Sequence, residues 1–134
     1  MNRKQARENA FILLFEAISK KTESPMEIYE KATELRGLEV DDYVKNVFFG
    51  AMENAKLIDE YVEKSLVGWK KDRISVVSKS VLILASYEML FIDDIPVKVS
   101  INEGIELSKK FDDEKAYAPV NGSLNAIAEM ISNR

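Results

Sequence analysis

A chain of 134 residues suits one domain with a proper core, since a soluble domain of this size buries about two-thirds of its unfolded surface. Apolar residues make up 46% and charged residues 31%, which is ordinary for a globular protein and excludes a disordered one. The absence of histidine and cysteine excludes Ser-His-Asp and Cys-His nucleophile pairs, zinc sites built on those ligands and any disulfide, and a net charge of −4 excludes a surface basic throughout. A local basic patch stays compatible with that charge, because salt screens charge effects beyond about 10 Å.

The hydrophobic spacing is helical almost from end to end. Ala6, Ala10, Leu13, Leu14 and Ala17 recur at steps of three and four, with Asn2 as N-cap. Ser24-Pro25-Met26-Glu27 reads as a helix start: Ser24 caps, Pro25 takes the first helical position and Glu27 completes a capping box. Ile28, Ala32 and Leu35 line one face, and Gly37 stops the helix. Asp41 or Asp42 opens a stretch in which Val44, Val47, Phe48, Ala51, Met52, Ala55, Ile58 and Val62 keep helical spacing to Gly68. Periodicity fits both one long helix and two helices broken near Asn54.

From about Arg73 to Phe91 the apolar positions cover more than one face, which predicts a buried central helix. Pro96 marks a break, and Ser100-Ile101-Asn102-Glu103 reads as a second capping box opening a helix to about Phe111. Asp112-Asp113-Glu114 makes a loop, and Pro119 fits the first turn of a last helix through Ile131. No internal repeat, linker or low-complexity tract divides the chain. No apolar run reaches the roughly 18–20 residues a membrane span needs, and the start, MNRKQARENA, lacks the apolar stretch of a signal peptide. The expected compartment is the cytoplasm.

Two constellations bear on function. Arg3, Lys4 and Arg7 lie near the start of the first helix, with Gln5 and Asn9 beside them; Arg3 and Arg7, four apart, share a face. Such a cluster can meet two or three phosphates, or be a solvated surface at a frayed terminus. The stretch from Tyr117 to Ser123 places backbone N–H groups at a helix start that attracts anions, with Lys115 just before it, Asn121 as a side-chain contact and Gly122 allowing close approach of another chain. Capping and helix packing account for the same residues. Phe11, Phe15, Phe48, Phe49 and Trp69 suit base stacking, but their helical spacing favours the core. The pairs Asp41/Asp42 and Asp93/Asp94 read as an N-cap and a loop, so no catalytic group, metal site or cofactor is expected.

Read together, the segments resemble the NusB family over nearly the whole chain. The resemblance rests on Ala6-Arg7-Glu8, Trp69-Lys70-Lys71-Asp72-Arg73-Ile74 and Leu82-Ile83-Leu84-Ala85-Ser86-Tyr87-Glu88. Its most specific part is Ile95-Pro96-Val97-Lys98-Val99-Ser100-Ile101-Asn102-Glu103, running on to Phe111, with Val120-Asn121-Gly122-Ser123-Leu124 following. It implies an all-α fold of about seven helices in two small packed bundles, forming one RNA-binding domain over residues 1–134. It also implies a transcription antitermination factor, not an enzyme. Such a factor binds boxA RNA jointly with the ribosomal protein NusE and helps RNA polymerase past terminators, notably in ribosomal RNA operons.

On that resemblance, RNA contacts are expected from Arg3, Lys4, Arg7, Lys115, Tyr117, Asn121 and Gly122, and NusE contacts from Phe15, Ser78 and Leu82. The chain departs from the family at three places. Gln5 stands where another arginine is often seen, Ala118-Pro119 replaces a usual Lys-Phe, and Ser78 takes a position where some members carry a partner-contacting glutamate. The missing stacking aromatic is then absent or supplied by Tyr117. Two other readings remain. A NusB-like domain also opens certain rRNA cytosine methyltransferases, which need a C-terminal catalytic domain with a glycine-rich loop and a cysteine nucleophile not found here. A helical homodimer is the third, so the free protein is expected as a monomer or homodimer.

Overall fold

The computed structural model describes residues 1–66, 68 and 74–134, and among these the chain forms seven α-helices and no strand. Local signals start most of them. Helix α1 (Arg3–Ser19) begins at Asn2, whose side chain accepts a hydrogen bond from the Gln5 N–H at 2.8 Å. Helix α2 (Pro25–Glu30) opens on a reciprocal capping box: the Ser24 hydroxyl accepts from the Glu27 N–H, and the Glu27 carboxylate accepts from the Ser24 N–H. It runs on as a π-helical turn over Lys31–Leu35 and stops at Gly37, whose φ of +69° lets the Leu38 N–H turn back onto the Ala32 carbonyl.

Asp41, not Asp42, caps helix α3 (Asp42–Glu53), accepting from the Val44 N–H at 2.9 Å. The chain does break at Asn54, before helix α4 (Ala55–Ser65). The Asn54 side-chain amide and backbone N–H both donate to the Gly50 carbonyl, at 2.8 and 3.0 Å, and close the last turn of α3. Trp69 and the run from Lys70 to Arg73, which carry part of the family resemblance, lie outside the described residues.

The central helix, α5 (Val76–Phe91), is capped by Ser75, which accepts from the Ser78 N–H. Every residue from Ser80 to Leu90 is buried, as expected of a helix apolar on all sides. Helix α6 (Val97–Phe111) follows, then a single 3-10 turn at Glu114–Ala116, and helix α7 (Tyr117–Ser132). The capping box expected at Ser100 does not form. α6 starts four residues earlier, directly after Pro96, and Ser100 is buried inside it with its hydroxyl turned to α5. A proline fixes φ near the helical value and has no N–H to satisfy, so it opens the helix without a side-chain cap.

Two bundles result. α1, α2 and α3 pack together, α4, α6 and α7 pack around α5, and α5 joins the halves by lying against α1 and α3 as well. One continuous apolar core spans both, with Leu13, Leu14, Phe48, Leu82, Leu84, Leu124 and Ile127 buried in it. Phe11 and Phe48 belong to that core, and Phe49 packs against it.

Candidate nucleic-acid interface

At the start of α1 the three expected cations separate into two environments. Arg3 and Lys4 are exposed, but Arg7 is only 4% exposed and its Nε donates to Glu88 Oε2 at 2.8 Å. Glu88, on α5, is fully buried. Its carboxylate also accepts from the Tyr43 hydroxyl of α3 and, on Oε1, from the Ser100 hydroxyl of α6 at 2.8 Å. Four helices therefore meet at one carboxylate. Burial works against the Arg7 charge, but the hydrogen bond and negative charge of Glu88 outweigh it, and the guanidinium pKa is raised. Burial first, and the Glu88 charge second, push the Tyr43 hydroxyl well above its ordinary value, so it stays a donor.

Arg7 is thus an internal partner of Glu88 and does not stand free on the surface as Arg3 and Lys4 do. Spacing of four places Arg3 and Arg7 on one side of the helix, yet one turn further along that side runs under α3 and α5. A buried arginine persists only where a carboxylate compensates it, and Glu88 comes from eighty-one residues away in sequence. Gln5 and Asn9 also turn to internal work. The Gln5 amide donates to Asn9 Oδ1, and Asn9 donates to the Glu39 carbonyl, tying α1 to the segment before α3.

The exposed cations are held differently. The Arg3 guanidinium lies over the Tyr43 ring, 4.3 Å from its centroid. Lys4 borders a hollow between α1 and α6 with Glu8, Glu103, Glu106 and Lys110, where Lys110 pairs with Glu8 at 2.7 Å.

On the other flank of α6, Lys115, Tyr117 and Gly122 are exposed and Asn121 is half-buried. Asn121 is partly engaged, because its Oδ1 and carbonyl both accept from the Asn125 amide. A β-carbon at Gly122 would meet nothing within 4 Å, so no neighbouring helix requires that glycine. Lys109, which the sequence reading missed, completes the group with Nζ 4.8 Å from the Tyr117 ring centroid. Its sequence signal was only a lysine in the last turn of a helix, which the helix dipole explains by itself.

The three expected partner contacts are also unequal. Phe15 is half-buried beside Phe11, which stacks on the exposed Phe111 ring at 4.9 Å. Leu82 is fully buried, and Ser78 is only 1% exposed. The Ser78 hydroxyl donates to Asp112 Oδ2 at 2.6 Å, and Ser75 donates to the same oxygen at 2.7 Å. Burial alone would raise the Asp112 pKa, but the Ser78 and Ser75 hydroxyls and the Asp113 N–H together hold it below its ordinary value. Leu82 and Ser78 therefore lie beneath the surface, Leu82 in the part of α5 that is buried on every side and Ser78 under its hydrogen bond to Asp112.

Among the described residues, no group of histidine, cysteine and carboxylate side chains converges as a metal site, and no helix is long and apolar enough to cross a membrane.

The chain matches the model of the NusB family over residues 4–129. It is 44% identical over 127 residues to the transcription antitermination protein NusB of Bacillus licheniformis, covering 95% of this chain and 96% of that protein. The protein of the same name from Bacillus subtilis is 42% identical, with 95% of both chains covered. A solved structure of T. maritima NusB aligns with a TM-score of 0.81 at 33% identity, covering 96% of this chain and 92% of that one. A crystal structure of the antitermination factors NusB and NusE in complex with dsRNA aligns with a TM-score of 0.82 at 30% identity, covering 96% of each chain.

Proposed function

The chain belongs to the NusB family, and from that premise we propose that it is a cytoplasmic transcription antitermination factor, binding boxA RNA together with NusE. Its role is to help RNA polymerase past terminators, notably in ribosomal RNA operons, by binding rather than by catalysis. Residues 1–134 act as one RNA-binding domain. The observation that carries the reading is the exposed Arg3–Lys4 edge on an acidic chain that aligns over 96% of its length with a protein solved beside NusE and RNA.

Arg3 and Lys4 meet RNA phosphates, while Arg7 supports them from within. Lys109, Lys115, Tyr117, Asn121 and Gly122 form a second contact region in which Tyr117 supplies a stacking ring. NusE docks on the face that includes Phe15, above Ser78 and Leu82.

A net charge of −4 repels RNA at long range, and the exposed cations of these two regions offset it only locally. A partner with its own RNA surface raises the effective affinity without changing this chain. Fluorescence anisotropy on labelled boxA RNA, with NusE titrated in at two salt concentrations, tests the proposal. Binding at least tenfold tighter with NusE, about 1.4 kcal/mol, is expected. Equal affinity with and without NusE would sink the adaptor role.

A further inference from the structure

We infer that Tyr43 is a positioning residue of the RNA edge: its ring is a fixed platform that holds the Arg3 guanidinium flat, with its N–H edges open to a phosphate. The inference rests on Arg3 meeting RNA, as proposed above.

Tyr43 sits in the first turn of α3, the helix packed against the α1 cations, and is 7% exposed. Its ring face meets Arg3 at 4.3 Å, with Arg7 further off at 5.8 Å. At its far end the hydroxyl donates to Glu88, which Arg7 and Ser100 hold in turn. The ring is therefore held by groups from α1 and α5, with Ser100 of α6 holding Glu88 in turn, whereas Arg3 itself makes no ion pair among the described residues. A guanidinium stacked on a ring uses its face and leaves its in-plane donors unspent, and those donors match a phosphate two at a time. A long side chain already held in that pose loses less freedom on binding. Arg3 also stands at the positive end of α1, where nothing in the helix itself favours a cation. The ring supplies the attraction that keeps it there.

The test is a double-mutant cycle read by anisotropy on labelled boxA RNA with NusE present. Arg3→Ala should weaken binding, and Tyr43→Leu should weaken it about fivefold. In the Arg3→Ala background, Tyr43→Leu should have no further effect, and Tyr43→Phe, which keeps the ring, should restore most of the affinity lost in Tyr43→Leu. If Arg3→Ala leaves binding unchanged, the reading of Arg3 as an RNA contact falls, and the platform with it. If Arg3→Ala weakens binding but Tyr43→Leu does not, or weakens it equally in both backgrounds, only the platform falls. Should Tyr43→Leu fail to fold, Arg3→Lys decides. Lysine keeps the charge but lacks the flat face, so affinity should drop severalfold with an unchanged salt slope, and wild-type affinity would overturn the platform.

Discussion

The starts of α1 and α7 each set a cation against a tyrosine, and the two pairs are built in opposite ways. Arg3 rests on Tyr43, a ring buried at its edges and hydrogen-bonded to the fully buried Glu88. Lys109 rests on Tyr117, which is 38% exposed and makes no hydrogen bond through its hydroxyl among the described residues. The first ring is committed to the protein, so only the cation above it is free for a ligand. The second ring is partly in solvent, and in the function proposed above it exchanges its lysine for a base. One contact type thus serves two purposes, and what decides between them is what grips the far end of the ring.

The largest expected effect separates the two regions by stability. Glu88→Ala leaves Arg7 buried without its carboxylate and should cost about 3–5 kcal/mol in urea denaturation, whereas Tyr117→Ala should stay within about 0.5 kcal/mol. Similar midpoints for the two variants would erase the contrast. RNA binding should rank them the other way. Tyr117→Ala should lose roughly 1–3 kcal/mol of affinity for boxA RNA in the NusE complex, the usual worth of one stacked base, with the fold intact by circular dichroism. Unchanged affinity would return Tyr117 to plain surface.

A smaller effect counts the phosphates at the α1 edge. Replacing Arg3 and Lys4 together by alanine should flatten the log–log salt dependence by about 1.4, at roughly 0.7 per contact for a single strand. An unchanged slope would place the RNA elsewhere. The smallest effect lies just past the end of α6, at its C-cap residue Asp112. Its folded pKa is held below the ordinary carboxylate value, so the stabilisation is complete above about pH 4 and fades as pH falls through the folded value. The stability gap between the wild type and Asp112→Asn should therefore narrow in acid, below about pH 4. A gap that widens there would mean that the Ser75 and Ser78 hydroxyls do not hold the charged form.

Much of the helical framework was legible in the chain itself. Asn2, Ser24 and Asp41 cap their helices through hydrogen bonds to residues three positions on, and Gly37 turns the chain with a positive φ. Each of these signals is complete within a few residues, so reading them needs no knowledge of the rest. The burial of α5 was equally legible, because a helix apolar on every side has no stable place except the interior. Ser100 shows the limit of such reasoning. It has the sequence of a cap, but Pro96 starts the helix first and the Ser100 hydroxyl goes to Glu88.

What the sequence alone determined about this protein is therefore its helical composition, most helix starts, its central helix and, through motif resemblance, its family. The tertiary structure alone decided which of the candidate residues face outward. Arg7 carries the same charge as Arg3, one helical turn away, yet the packing of α1 under α3 and α5 gives it to Glu88. Leu82 and Ser78 vanish beneath neighbouring helices, and Lys109 acquires Tyr117 only because α6 and α7 lie side by side. Local hydrogen bonds and periodicity act over three or four residues and are written in the chain. Exposure, charge pairing and ring contacts depend on groups tens of residues away, and only the packed helices bring those together.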